Sequence, residues 1–150
     1  MSRSFVHLHT HTEFSMLDGA AKIDDVMAAV TADGQPAVGI SDHGVLYGVV
    51  DFFRAASGAG VKPVLGIEAY TTPGSRFDRP PRNKNTRHHM LLFAENDEGY
   101  RNLMKVSSRA YLEGFYYKPR MDKETLGQWN EGLIAINGHL GSSIAYYLTQ

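Results

Sequence analysis

Apolar and polar residues alternate over positions 5–11, Phe-Val-His-Leu-His-Thr-His. An extended strand there puts His7, His9 and His11 on one face and Val6, Leu8 and Thr10 on the other. The spacing then changes to three and four: Ile23, Val26, Met27 and Val30 predict an amphipathic helix over 20–32, with Asp24 and Asp25 at its positive end and Gly34 closing it. A short apolar run predicts a buried strand over 37–41, and a second helix follows over 45–59, ended by Gly58 and Gly60. Residues 61–70 predict a third strand, with Pro63 at its beginning where a missing donor is tolerated. The remainder predicts a strand over 89–94, a helix over 97–112 burying Leu103, Val106 and Ala110, a short helix over 122–129, a fifth strand over 133–137 and a terminal helix.

Five strands separated mostly by helices predict an α/β fold with a parallel sheet or barrel, because parallel neighbours need crossovers. Reactive residues in such barrels gather at the C-terminal ends of strands. His11, His43, Glu68 and His139 all follow predicted strands or stand near their ends. His88 and His89 stand at the beginning of their strand instead of its end and, as neighbours, face opposite ways, so only one of them can join a cluster. Imidazoles two residues apart on one strand face stand about 7 Å apart at the backbone, close enough for two of the first three to converge on an ion. Asp18, in a turn before Gly19, can add an oxygen ligand.

Composition narrows the chemistry. At 150 residues and 43% hydrophobic content the chain suits one domain with a substantial core. It has no cysteine, which leaves any metal to histidine and carboxylate. The formal charge of −1 gives no global basic field. No apolar run approaches a membrane span, and the expected location is cytoplasmic without membrane contact. Residues 71–87 form a proline-rich loop that is basic: Arg76, Arg79, Arg82, Lys84 and Arg87 stand against Asp78. It is a weak candidate for nucleic-acid contact, since Phe77 alone interleaves with the cations, and a solvated insertion is the simpler reading.

The stretch His9-Thr10-His11-Thr12-Glu13-Phe14-Ser15-Met16-Leu17-Asp18-Gly19 resembles the H-x-H-T-x-x-S-x-x-D-G opening of the PHP (polymerase and histidinol phosphatase) superfamily. Four further stretches extend the likeness almost end to end: Ser-Asp-His-Gly at 41–44, Val-Lys-Pro-Val-Leu-Gly-Ile-Glu-Ala-Tyr at 61–70, Ala-Glu-Asn-Asp-Glu-Gly-Tyr-Arg-Asn-Leu at 94–103 and Gly-Phe-Tyr-Tyr-Lys-Pro-Arg-Met-Asp at 114–122. With them the chain is similar to the N-terminal PHP domains of bacterial replicative DNA polymerase III alpha subunits. That resemblance implies a distorted (β/α)7 barrel, here truncated to about five β/α units. It implies His9, His11, Asp18, His43, Glu68, His89 and His139 as ligands of up to three zinc or manganese ions, magnesium being possible. His7 is then structural, and His139 stands where polymerase members often carry a cysteine.

The family's last two ligands, an Asp-x-His pair, are expected beyond residue 150, as are the polymerase domains, so the expectation is a partial PHP domain over 1–150 that self-associates or needs a partner. By resemblance, His9, His11, Asp18 and Glu68 carry out metal-dependent phosphoester hydrolysis, with 3′–5′ exonuclease proofreading on DNA within a DNA-directed DNA polymerase. The implied partners are DNA, a sliding clamp and a separate proofreading exonuclease. A stand-alone phosphatase of the histidinol-phosphatase type and a non-catalytic, metal-stabilised scaffold are the alternatives.

Overall fold

The computed structural model describes residues 5–84, 86–137 and 139–149. The chain divides into two compact units, Met1–Ile67 and Glu68–Gln150. Among the described residues no helix is long and apolar enough to cross a membrane.

In the first unit, α1 (Ile23–Ala32) and α2 (Val49–Gly58) pack on one another, and α2 also covers β1 (Ala37–Ile40). β1 runs parallel to the first half of β2 (Lys62–Thr71), Ala37 opposite Lys62 through Ile40 opposite Leu65. Every residue of β1 is buried, which explains its unbroken apolar run. The core is built from Ile23, Met27 and Val30 of α1, Val49, Phe52 and Ala56 of α2, and Val38 and Ile40. The helical spacing of these residues is the one read from the sequence.

No regular strand forms over 5–11, where the first was expected. Exposure alternates over 5–10 as predicted, but Gly39 N donates to His7 O at 2.7 Å and Ser41 N to Thr10 O at 2.9 Å. Three residues are thus spent against two on β1, a bulge that interrupts the ladder. Helix α1 starts later than predicted because Thr12 bridges Ala21, and Glu13 N donates to Ala21 O at 2.9 Å, holding that stretch extended. Helix α2 also starts late, since Gly44 turns the chain at φ 66°.

The second unit holds the end of β2, β3 (His88–Ala94), α3 (Asp97–Leu112), β4 (Arg120–Met121), α4 (Lys123–Gln128), β5 (Leu133–Ile136) and α5 (Ser143–Leu148). Helix α3 has the bounds predicted for it. Asn96 caps it, accepting from Gly99 N at 2.9 Å, and Asp97 and Glu98 fill its first turn. A side chain at Gly99 would put Cβ 1.9 Å from Gly132 O, so only glycine allows this approach. Helix α3 covers β3, β4 and β5 with Leu103, Val106 and Ala110 buried.

Two strands differ from expectation. β4 is an addition, parallel to β2 with Tyr70 opposite Arg120 and Thr71 opposite Met121. β5 is antiparallel to β3, Leu91 opposite Ile136 through Ala94 opposite Leu133, so the sheet is not all parallel. The cause is the connection: after β3 the chain makes α3, lays β4 beside β2 and makes α4, so β5 is not reached by a single helical crossover and need not be parallel. The C-terminal end of β5 therefore lies beside the start of β3.

A partly buried ionic network pins the loop after β2. Arg76 donates through Nε to Glu113 Oε2 at 2.7 Å and through Nη1 to Asp122 at 3.1 Å and Glu124 at 2.9 Å. Burial alone would lower the Arg76 pKa, but its hydrogen bonds to Glu113, Glu124 and Asp122 raise it overall. Burial likewise pushes the Asp122 carboxyl up, yet the bonds it accepts from Thr125 and Arg76 hold it below the usual aspartate value. A depressed folded pKa contributes stability that is present above the unfolded value and is lost as pH falls through the folded one. Denaturant midpoints between pH 6 and pH 2.5 are therefore expected to fall most steeply below about pH 4. Asp122→Asn, which keeps a helix cap, is expected to flatten that slope.

Candidate metal centre

In the first unit, the segment from His9 to Gly19 wraps the carboxylate of Asp42, which is 1% exposed. Asp42 Oδ1 accepts from Thr12 N at 2.6 Å and from the Ser15 hydroxyl at 2.7 Å, and Oδ2 accepts from the Thr12 hydroxyl at 2.7 Å. The single proton of the Ser15 hydroxyl is spent on Asp42, so toward its other neighbours Ser15 is an acceptor. It accepts from His43 N at 3.1 Å and, at 3.2 Å, from His11 Nδ1. His11 thus carries its proton on Nδ1 and presents a lone pair at Nε2, the orientation a metal ligand needs.

That nitrogen lies 3.1 Å from His9 Nε2. Two nitrogens held about 2.0–2.1 Å from one tetrahedral ion stand about 3.3 Å apart, so the pair fits a shared zinc-sized ion. The His43 ring stacks on His11 with centroids 4.1 Å apart, and His43 Nε2 meets Asp18 Oδ2 at 2.9 Å. Four of the residues expected as ligands, His9, His11, Asp18 and His43, are gathered in this unit. His7 is not among them: it is exposed, its ring edge-on to Phe5 at 4.8 Å.

The other three meet in the second unit. Glu68, on β2 and 1% exposed, accepts at Oε1 from His89 Nδ1 at 2.5 Å and from His139 Nε2 at 2.8 Å. The antiparallel β5 makes this possible, carrying His139 to the start of β3 where His89 stands. His89 presents Nε2 after giving its Nδ1 proton to Glu68. Gly141 N donates to His139 Nδ1 at 2.8 Å, which puts the His139 proton on Nε2, facing Glu68. His139 becomes a ligand through Nε2 only when that proton leaves. A Cβ on Gly141 would come 2.5 Å from the His139 ring and push it from this position. His88 turns to the opposite face, buried against Tyr146 at a ring distance of 4.9 Å. Burial, and then the nearby His89, lower its pKa.

Sequence reasoning passed over Asp42, Thr12, Ser15 and Gly141. Thr12, Ser15 and Asp42 all stand inside the quoted stretches, and a buried carboxylate surrounded by short hydroxyl residues is the signal that they form one unit. Of the basic loop, Arg76 is consumed by its carboxylates, and Arg79 donates to the carbonyls of Arg76, Asp78 and Glu113. Arg82, Lys84 and Arg87 are exposed.

Two histidine–carboxylate clusters, one in each unit, gather the residues expected as ligands, a donor set that suits a divalent metal. The chain belongs to the PHP domain family, which it matches over residues 7–150. Its relatives include proteins named DNA polymerase III subunit alpha. That of Aquifex aeolicus is 50% identical over 98% of this chain and 13% of its own length. That of Thermus aquaticus is 48% identical over 97% of this chain and 12% of its own, and that of Treponema pallidum 44% identical over 98% and 13%. The chain thus spans about an eighth of the length of these relatives.

Proposed function

We propose that this PHP domain hydrolyses phosphodiesters with divalent metal, zinc or manganese, and releases nucleotides from DNA 3′ ends as part of a replicative polymerase. The observation that carries the reading is the pair of Nε2 atoms of His9 and His11, 3.1 Å apart, with the His11 proton fixed on Nδ1 through Ser15 and Asp42. His9, His11, Asp18 and His43 hold metal in the first unit, and Glu68, His89 and His139 in the second. Bound divalent ions supply an activated water and neutralise the phosphate charge. The protein's part is to hold His11 and His89 with their protons on Nδ1, to hold the Glu68 carboxylate, and to offer Asp18 at an exposed turn. Polymerase activity, a sliding clamp and a separate exonuclease as partners belong to the longer relatives and are proposed only for a protein of that length.

His9→Ala is expected to weaken zinc or manganese binding by at least about ten- to a hundredfold, the range for losing a residue that only orients a ligand. In a polymerase carrying this domain it should also abolish metal-dependent nucleotide release while primer extension continues. Calorimetric titration of the chain and a 3′-end-labelled DNA assay of the polymerase measure the two effects separately. Full nuclease activity in the variant would overturn the reading.

A further inference from the structure

The basic loop carries only Phe77 among its cations in sequence, but the fold brings more aromatic surface to it. Residues 114–120 form a tight hairpin, Tyr116 N donating to Lys118 O at 3.1 Å and Arg120 N to Gly114 O at 3.4 Å. The Tyr116 hydroxyl ties it to the loop by donating to Pro80 O at 2.9 Å. Arg120 completes the junction, donating to Arg76 O at 3.1 Å and Asp78 O at 2.7 Å.

Cations and aromatic rings then interleave: Arg76 lies over Phe77 at 4.4 Å, Arg79 over Tyr116 at 5.6 Å, Arg82 over Tyr117 at 6.0 Å and Lys118 over Tyr70 at 5.3 Å. Phe77, Phe115 and Tyr117 are each about half exposed, at 55%, 51% and 56%. Asp78 is the lone acid within 77–87 and 115–120, and it is engaged with Ser75 N. Burial first and then the charge of Arg79 lower the Arg120 pKa, with Asp78 and Tyr116 opposing and Arg87 adding to the effect of Arg79.

Tyr117 supplies an independent observation. It sits at φ 62°, a left-handed conformation that a bulky side chain rarely adopts, and it is the one non-glycine residue at positive φ among those described. The local fold would be served better by glycine, yet a tyrosine stands at the apex with its ring in solvent. Strain kept at an exposed aromatic points to a task for the ring.

We propose that the 114–120 hairpin and the 76–84 loop form a binding surface for single-stranded nucleic acid, its bases stacking on Tyr117, Phe115 and Phe77 and its phosphates meeting Arg79, Arg82 and Lys118. Stacking tolerates any base, and the arginines add charge that attracts the backbone. The surface lies wholly in the second unit, and the inference does not depend on metal in either cluster.

The test is fluorescence anisotropy of the 150-residue chain with labelled dT20 and rU20 oligomers, without added metal. Binding of either is expected, falling as salt rises; the preferred oligomer identifies the strand. Tyr117→Gly separates task from structure: it should raise the melting temperature by relieving the left-handed strain, while weakening binding roughly tenfold. Arg82→Gln should lower the slope of log affinity against log salt by about one. No binding of either oligomer at low salt, a preference for duplex, or Tyr117→Gly binding as tightly as the parent would overturn the proposal, the last result assigning the surface to a protein partner or to none.

Discussion

Asp42→Ala is expected to be the most damaging single change in the first unit. It removes one buried carboxylate and strands three donors, the Thr12 amide and the Thr12 and Ser15 hydroxyls. Each buried group left unsatisfied costs roughly 1–3 kcal/mol, though the two hydroxyls can rotate toward other acceptors, so about 3 kcal/mol is expected in all. For a chain of this length that corresponds to a fall in Tm of about 10 °C. Metal binding should fall with it, because Ser15 no longer sets the His11 proton on Nδ1. Asp51→Ala, an exposed carboxylate on α2, is the control and should change stability by less than about 0.5 kcal/mol. Thermal melts and zinc titration of the two variants give the comparison; equal behaviour would show that Asp42 does not organise the loop.

Arg120→Met is expected to have the second largest effect. Arg120 is completely buried, and its guanidinium donates to the carbonyls of Gly114, Arg76 and Asp78. Burial opposes the charge and lowers its pKa, with Arg79 next in effect, so removing the charge returns part of what its bonds contribute. Each of these carbonyls keeps a second donor, Arg79 for Arg76 O and Asp78 O and the Arg120 amide for Gly114 O, so the loss comes to about 1–3 kcal/mol in all. Arg120→Lys separates charge from shape: lysine keeps the charge but not the planar fork that reaches three acceptors, so it should recover little. Urea denaturation of both variants measures this, and a stable lysine variant would mean that charge alone suffices.

The sequence was most informative where one interaction dominates. Helix α3 could be read with its bounds because Asn96, two acids and a clean apolar stripe all agree. The helix starts at Ile23 and Val49 could not be, since a bridge between Thr12 and Ala21 and a turn at Gly44 compete with helical spacing from outside the local pattern. Of the seven residues expected as ligands, His9, His11, Asp18, His43, Glu68 and His139 were marked by a strand face, a turn and strand ends, whereas His89 was preferred over His88 by resemblance alone. What orients them was not legible, because Asp42 acts on Thr12 and Ser15 across about thirty residues, and a lone aspartate announces no partner. The direction of β5 was misjudged for the same kind of reason: alternating strands and helices predict parallel pairing only when each helix connects adjacent strands, and β4 intervenes.

The pairing of β5 with β3 also orders events in time. The bonds joining His9, His11, Asp18, Asp42 and His43 close loops of at most about thirty residues, whereas His139 meets Glu68 across a sequence separation of 71. Longer closures cost more entropy before any contact rewards them, and long-range contacts slow folding. The second cluster is therefore expected to be completed after the first, when the last strand docks. The visible absorption of cobalt at the proposed site of His139 would then serve as a clock for the final step of folding, silent in any intermediate whose N-terminal unit alone is built.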